Sequence, residues 1–332
     1  MRQGEKLRVM VLSGGRGAEH DVSLMSAKYV ESLIDREKFL PIPVYIAKTG
    51  EWLSSGEHVT LAYRGRGGIL VGGEFIGIDV VLPVLHGDFG EDGVVQGALE
   101  NVKISYVGCD VFAGSLCSDK AFTKSVAREL GIDVAEHTVS KKGECSDDFI
   151  ARVTDKKFPI FIKPARLGSS IGARVAKNER ELRLAVENAY KLSDKIIAEE
   201  FIDVEYELEC AYLSSCGVEI FSDVGLISSK CGFYDFEKKY NTGDGVVVTA
   251  NADISRELSD KIRKYSKLLA DTIGIRHLAR FDFLLSKDGR LIFNEINTFP
   301  GFTETSLYPR LIERSGIPPK SLIEMLIYDA VG

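Results

Sequence analysis

Residues 279–309 read ARFDFLLSKDGRLIFNEINTFPGFTETSLYP. Asp288-Gly289 is a strong short-range turn signal flanked by Phe, Leu and Ile runs, so the stretch is predicted to be a two-stranded hairpin. With those two residues in the loop, Lys287 pairs with Arg290, Asp282 lies opposite Glu295 and Arg280 opposite Asn297. Side chains alternate along a strand, so Arg280, Asp282, Glu295 and Asn297 share one face; Phe281, Phe283, Asn294 and Ile296 take the other. Carboxylates directly opposite have Cβ atoms about 4.5–5.5 Å apart and repel. A divalent cation between them relieves the repulsion, and such oxygen ligands suit Mg2+ bound to a nucleotide phosphate. The competing reading is a solvated face with a cross-strand arginine–carboxylate pair.

The chain has 332 residues, too many for one ordinary core, so two or three domains are expected. Its 45% hydrophobic and 27% charged content is that of a soluble globular protein. A net charge of −7 without a long basic run argues against a nucleic-acid partner. No apolar run approaches a membrane span and no signal peptide opens the chain, so a cytoplasmic location is expected. The six cysteines are scattered without a CxxC or zinc-site spacing, which reads as free thiols.

From the N-terminus, an apolar strand Leu7–Leu12 runs into Ser13-Gly14-Gly15-Arg16-Gly17 and a helical pattern from about Val22 to Ile34. This is the opening of an open α/β sheet, whose ligands sit at the carboxyl ends of the strands. The glycines do not fit GxGxxG. Asp21 and Ser23 can serve as helix caps, whereas Glu19 is free to bind an ammonium group. Phe39–Ile46 is a second strand, 51–74 is expected to be irregular, and Ile78–Leu85 is a buried strand. His86 follows that strand in a Gly-rich loop with Glu91, ahead of a helix over Val94–Asn101. A domain boundary is expected near Ala113–Ser118, then a helix over Ser118–Leu130 capped by Ser118. Lys120 lies in its first turn, where it opposes the helix dipole and so points to an external anion.

Phe158–Lys163 is a strand ending in a lysine, followed by a Gly/Ser turn over 165–172 and a strand Ala173–Ala176. The turn is not a Walker loop; a plain hairpin and a phosphate cradle both fit it. A capping pattern begins a helix at Asn178, and Ile196–Ile202 is a strand carrying Glu199 and Glu200. Val204–Leu213 carries Glu205, Glu207 and Glu209 on one face, which reads as a wet side. Residues 230–250 look like a long lid loop, Ser255–Ile273 an amphipathic helix, and Ser321–Tyr328 a closing helix.

Taken together, GGRGAEHDVSL, HGDFGEDGVVQG, SDKAFTK, FIKPARLGSSIGA, GFYDFEKKY, RFDF and FNEINTFPGFTETSL resemble, in order and spacing, the D-alanine–D-alanine ligases of the ATP-grasp superfamily. The resemblance implies an α/β fold with an open, mostly parallel N-terminal domain (1–115), a central domain (116–205) and a C-terminal domain (206–332). ATP would lie between the latter two, beside the mobile loop 230–250. It implies Lys120, Lys163 and Ser170 at the ATP phosphates, Glu200, Phe201 and Ile202 at the adenine, Glu207 at the ribose and Tyr234 on the mobile loop. Asp203-Val204-Glu205-Tyr206 lacks the family's usual Gly and is one residue longer, so the ribose role can fall on Glu205 instead. Asp282, Glu295 and Asn297 would hold two Mg2+, with Mn2+ able to substitute. Glu19 would bind the first ammonium, linked through Ser169 to Tyr240. His86, Arg280, Gly301, Ser306 and Leu307 would surround the substrate carboxylates and the reacting centre, and Lys239 would touch the γ-phosphate. The implied reaction makes an acyl phosphate from one D-alanine, which the amine of a second attacks. Tyr240 favours an amine nucleophile over D-lactate; a D-serine ligase and a non-catalytic nucleotide-binding relative are the alternatives. A homodimer is also implied.

Overall fold

A computed structural model describes residues 5–155, 157–229 and 246–332. The first unit opens with β1 (Leu7–Gly14), α1 (His20–Leu33) and β2 (Phe39–Ile46). Residues 51–74 are not irregular. They form β3 (Trp52–Ser54), β4 (Glu57–Tyr63), β5 (Gly67–Val71) and the start of β6 (Glu74–Gly77), an antiparallel meander. Its glycines obscure the pattern because two of them are needed inside a strand. A Cβ on Gly67 would lie 2.5 Å from Ile104, and one on Gly68 2.3 Å from the Ile76 carbonyl. Next come β7 (Val80–Pro83), α2 (Val94–Asn101) and β8 (Ser105–Tyr106), giving the sheet order β6-β5-β4-β3-β2-β1-β7-β8. Only β2, β1, β7 and β8 run parallel; the meander extends their edge.

The expected boundary at 113–118 is a helix, α3 (Val111–Ser118), followed at once by α4 (Lys120–Glu129). The cap of α4 is Asp119 rather than Ser118: its carboxylate accepts from the N–H groups of Ala121 and Phe122. A second, antiparallel sheet has the order β11-β10-β12-β9, from β9 (His137–Lys141), β10 (Ile160–Pro164), β11 (Arg174–Ala176) and β12 (Lys195–Glu200). Helices α5 (Ser146–Thr154) and α6 (Glu179–Tyr190) cover it, and α6 starts with the predicted cap: the Asn178 side chain accepts from Glu181 N–H, while the Glu181 carboxylate accepts from Lys177 N–H.

The third sheet, order β15-β14-β13-β16-β17, comprises β13 (Val204–Ser215), β14 (Val218–Ser229), β15 (Val246–Thr249), β16 (His277–Ser286) and β17 (Leu291–Asn297). The end of the expected long loop is therefore a strand, β15; residues 230–245 lie outside the described residues. Leu208, Cys210, Phe281 and Phe283 turn to one face, where α3, α4 and α7 (Arg256–Ile273) pack. Ala211, Leu213 and Leu278 turn to the other, beneath α8 (Leu307–Arg314) and α9 (Pro319–Val331). That second core is continuous with Val9, Val11 and Leu82 of the first sheet.

The hairpin pairs Arg280 with Asn297 and Asp282 with Glu295, as expected, but by a different route. The turn holds three residues, Lys287–Gly289, and Ser286 pairs with Arg290 through the Ser286 N–H. Gly289 takes φ +87°, the left-handed position of such a loop. The extra loop residue shifts the ladder by one, so Phe283 faces Phe293. A bulge between Asp282 and Phe283 on one strand and around Asn294 on the other restores the register. The bulge turns Asn294 to the cleft beside Glu295 rather than to the Phe281 face.

Candidate active site

Two adjoining cavities, of about 210 and 130 Å³, open where the three sheets meet. The larger is lined by Glu19, His86, Glu91, Glu209, Arg280, Glu295, Asn297, Gly301, Ser306 and Leu307, among others. Glu19 is the residue before α1, and its carboxylate caps no backbone N–H. Instead it accepts a 2.5 Å hydrogen bond from Ser169 Oγ, across from the second sheet. Gly87 and Gly168 make room for it: a Cβ on either would come within 2.3 and 2.9 Å of Glu19 Oε2. Ser23 does not cap the helix. It is buried, accepting from Gly14 N–H and donating to the Val84 carbonyl, so it pins two strand ends beneath the site. Asp21 points to solvent beside Lys48.

His86 is buried, with Nε2 2.9 Å from Ser26 Oγ and Nδ1 3.1 Å from the Phe299 carbonyl. Glu91 lies 3.7 Å from its Nδ1, and burial pushes the Glu91 carboxyl up to about 7 against the pull of the imidazole. On the ribbon, Arg280 grips Asp282 with two hydrogen bonds of 2.7 Å and meets Glu209 at 3.1 Å. Burial works against the guanidinium charge, and Asp282 and Glu209 more than restore it. Asn297 donates to Asp282 at 2.9 Å. Asp282 therefore sits behind Arg280 and Asn297 and lines neither cavity. Lys120 meets Glu295 at 3.1 Å and donates to the Leu167 carbonyl, so its partners are internal as well as facing the cleft. Ser306 Oγ accepts from Thr303 N–H at 2.9 Å, which folds the loop carrying Gly301.

The smaller cavity is lined by Lys120, Lys163, Ser169, Ser170, Glu200, Phe201, Ile202, Glu207, Leu284, Asn294 and Glu295, among others. Ser169 and Ser170 both take positive φ, +51° and +59°, in the turn between β10 and β11. Glu207 faces this cavity, while Glu205 falls on a β13 bulge and is exposed. Glu200 is half-buried and holds Arg290 at 3.1 Å. Tyr234, Lys239 and Tyr240 lie outside the described residues.

Three site groups escaped the sequence reading. Glu209 is 5% exposed, so the strand face read as wet is dry at its cleft end. Lys124 and Glu199 are buried beside Lys163: Glu199 takes Lys163 at 2.9 Å and Lys124 at 3.3 Å. Burial alone would raise the Glu199 carboxyl; the two ammonium groups hold it down at about 2. Burial, opposed by Glu199, brings Lys124 down to about 8. The available signal was the i,i+4 spacing of Lys120 and Lys124, which puts both on one face of α4.

Family models described as "D-ala D-ala ligase N-terminus" and "D-ala D-ala ligase C-terminus" match residues 8–109 and 126–328. A D-alanine–D-alanine ligase of Caldicellulosiruptor bescii is 38% identical, covering 98% of this chain and 95% of that protein. Among solved structures, D-alanyl-alanine synthetase A of Vibrio cholerae superposes with a TM-score of 0.89 at 27% identity, covering 98% of both chains. VanG D-Ala:D-Ser ligase of Enterococcus faecalis gives 0.87 at 30% identity, covering 98% of this chain and 100% of that one.

Proposed function

The chain belongs to the D-alanine–D-alanine ligase family, and from that premise we propose how its cleft performs the reaction. It is an ATP-dependent carboxylate–amine ligase of ATP-grasp fold. One D-alanine carboxylate is phosphorylated, and the amine of a second D-alanine displaces phosphate to give the dipeptide used in peptidoglycan synthesis. The observation that carries the proposed site is the wall common to both cavities, made by Lys120, Gly168, Ser169 and Glu295. A nucleotide in the smaller cavity presents its terminal phosphate there, to an amino acid held in the larger.

The residue roles follow from charge and position. Lys120 and Lys163 bind phosphate oxygens as point charges, with the turn bearing Ser169 and Ser170 folded over them. Phe201 and Ile202 flank the adenine beside Glu200, and Glu207 takes the ribose. Glu19 binds the ammonium of the first D-alanine. A carboxylate beside a triphosphate is repelled, so Arg280 and Lys120 supply the cations that let it approach. Arg280 and the Gly301 N–H then stabilise the tetrahedral oxyanion, and Leu307 forms an apolar wall for the second amino acid.

Glu295 and Asn297 line the larger cavity with hard oxygen donors that fit Mg2+, and Asp282, tied behind them to Arg280 and Asn297, would join them by exchanging one of those hydrogen bonds for the ion. Among the described residues no group of three or more His, Cys, Asp or Glu could hold an ion, so the metal would depend on the nucleotide for its binding. Bound there, the metal would supply positive charge to the nucleotide phosphates. No helix among the described residues is long and apolar enough to cross a membrane. A cytoplasmic homodimer is the proposed working form, to be read by sedimentation.

The test is phosphate release with D-alanine, D-serine and D-lactate at millimolar ATP and Mg2+. Release with D-alanine alone is expected; D-serine-stimulated release of a mixed dipeptide would assign the second substrate otherwise. No release with any of them would remove the ligase reading.

A further inference from the structure

Lys124 has no place in the mechanism above, yet it is a lysine 1% exposed, held in α4 far from bulk water. A buried ammonium is costly unless paired, and Lys124 shares its carboxylate. Glu199 Oε1 faces Lys124 at 3.3 Å and Glu199 Oε2 faces Lys163 at 2.9 Å. The Lys124 ammonium also donates to the Phe293 carbonyl at 3.3 Å, which ties it to β17. Lys163 in turn reaches Asn294 Oδ1 at 3.4 Å and lines the nucleotide cavity; Lys124 lines neither cavity.

One carboxylate between two ammonium groups carries a net charge of one positive unit. Without Lys124, Glu199 would cancel Lys163, and the pair would present phosphate with no net attraction. We propose that Lys124 is a positioning residue that occupies Glu199, so that the charge of Lys163 remains available to the ATP phosphates. This rests on the ATP-dependent reading given above and adds a residue to it. The arrangement also fixes direction: Glu199 holds the Lys163 amine from one side, leaving its remaining donors for the cavity.

The experiment is an ATP-binding titration by calorimetry with the full-length protein, with adenosine as a second ligand. Lys124→Met conserves volume and removes charge. ATP affinity should fall on the order of tenfold, the weight of one unit charge several ångströms from a phosphate at the effective dielectric of a part-buried site. Adenosine affinity should stay within twofold. The double variant Lys124→Met/Glu199→Gln, which removes both charges and leaves Lys163 unopposed, should recover most of the loss. A merely structural role would instead make the double variant at least as weak as the single one. That result, or a Lys124→Met protein with wild-type ATP affinity, overturns the proposal.

Should Lys124→Met fail to fold, Glu199→Gln decides alone. Undiminished ATP affinity supports the proposal, and a loss equal to that for adenosine overturns it. Wild-type protein that binds no ATP would remove the ligase reading itself, and this inference with it. Wild-type binding with an unaffected Lys124→Met removes this inference only.

Discussion

Glu91 shows what a single buried carboxyl does to the pH response of the molecule. Its carboxyl ordinarily titrates near 4.5 and is pushed up to about 7, chiefly by burial. The folded state therefore holds a proton that the unfolded chain has released between those values. The stability this contributes is complete below about 4.5 and is lost as pH rises through 7. Glu91→Gln cannot lose it, so the variant should gain on wild type by on the order of 3 kcal/mol between pH 4.5 and pH 8. Paired denaturant titrations at the two pH values would check this; parallel curves would refute it. Gly87 makes a second prediction at this scale. It has φ +68°, and a Cβ there would overlap Glu19 Oε2. Gly87→Ala should cost about 1–2 kcal/mol and raise the KM for D-alanine at the first site, because Glu19 must move. An unchanged KM would disconnect Glu19 from the substrate.

Among the elements, the ribbon and α4 show what periodicity can and cannot reveal. Alternation along RFDF and NEIN was enough to bring Arg280, Asp282, Glu295 and Asn297 to one face. It could not reveal that the turn has three residues and that a bulge offsets the third, because these two shifts cancel beyond Asn294. Nor could it show that Glu209 and Glu199 are dry, since burial of a strand end depends on which element later lies across it. Glu205, Glu207 and Glu209 look alike in sequence, yet one is exposed, one lines a cavity and one is buried against Arg280. At the start of α4, Asp119 is fully buried between Lys195 at 2.8 Å and Arg166 at 3.0 Å, and it caps the helix as well. Asp119→Ala removes a cap and leaves Lys195, itself 12% exposed, without its carboxylate. A loss of about 3 kcal/mol is expected. Urea denaturation would measure it, and a change below about 1 kcal/mol would show the ion pair to be idle.

At the scale of the molecule, the cores predict how it unfolds. The second sheet has a core of its own, from Phe149, Ile162, Leu182 and Ile196 among others. The first and third sheets share one, in which α8 and α9 pack against both. Calorimetry should therefore show two transitions, one for the second sheet and one for the shared body, with ATP raising the transition of the second sheet most. A single transition without ATP would mean that contacts at the cleft couple the units more strongly than their cores imply. The family and its fold class were legible from motif order, but the shared core was not. Val9 and Leu326 are separated by nearly the whole chain, and no local pattern records that they belong to one core. Synthesis runs in the other direction from that packing. Leu322, Ile323, Leu326 and Ile327 are made long after β7, which lies in the same core as they do. The first sheet must wait, incompletely covered, for α9 to be made, while the second sheet can close its own interior earlier.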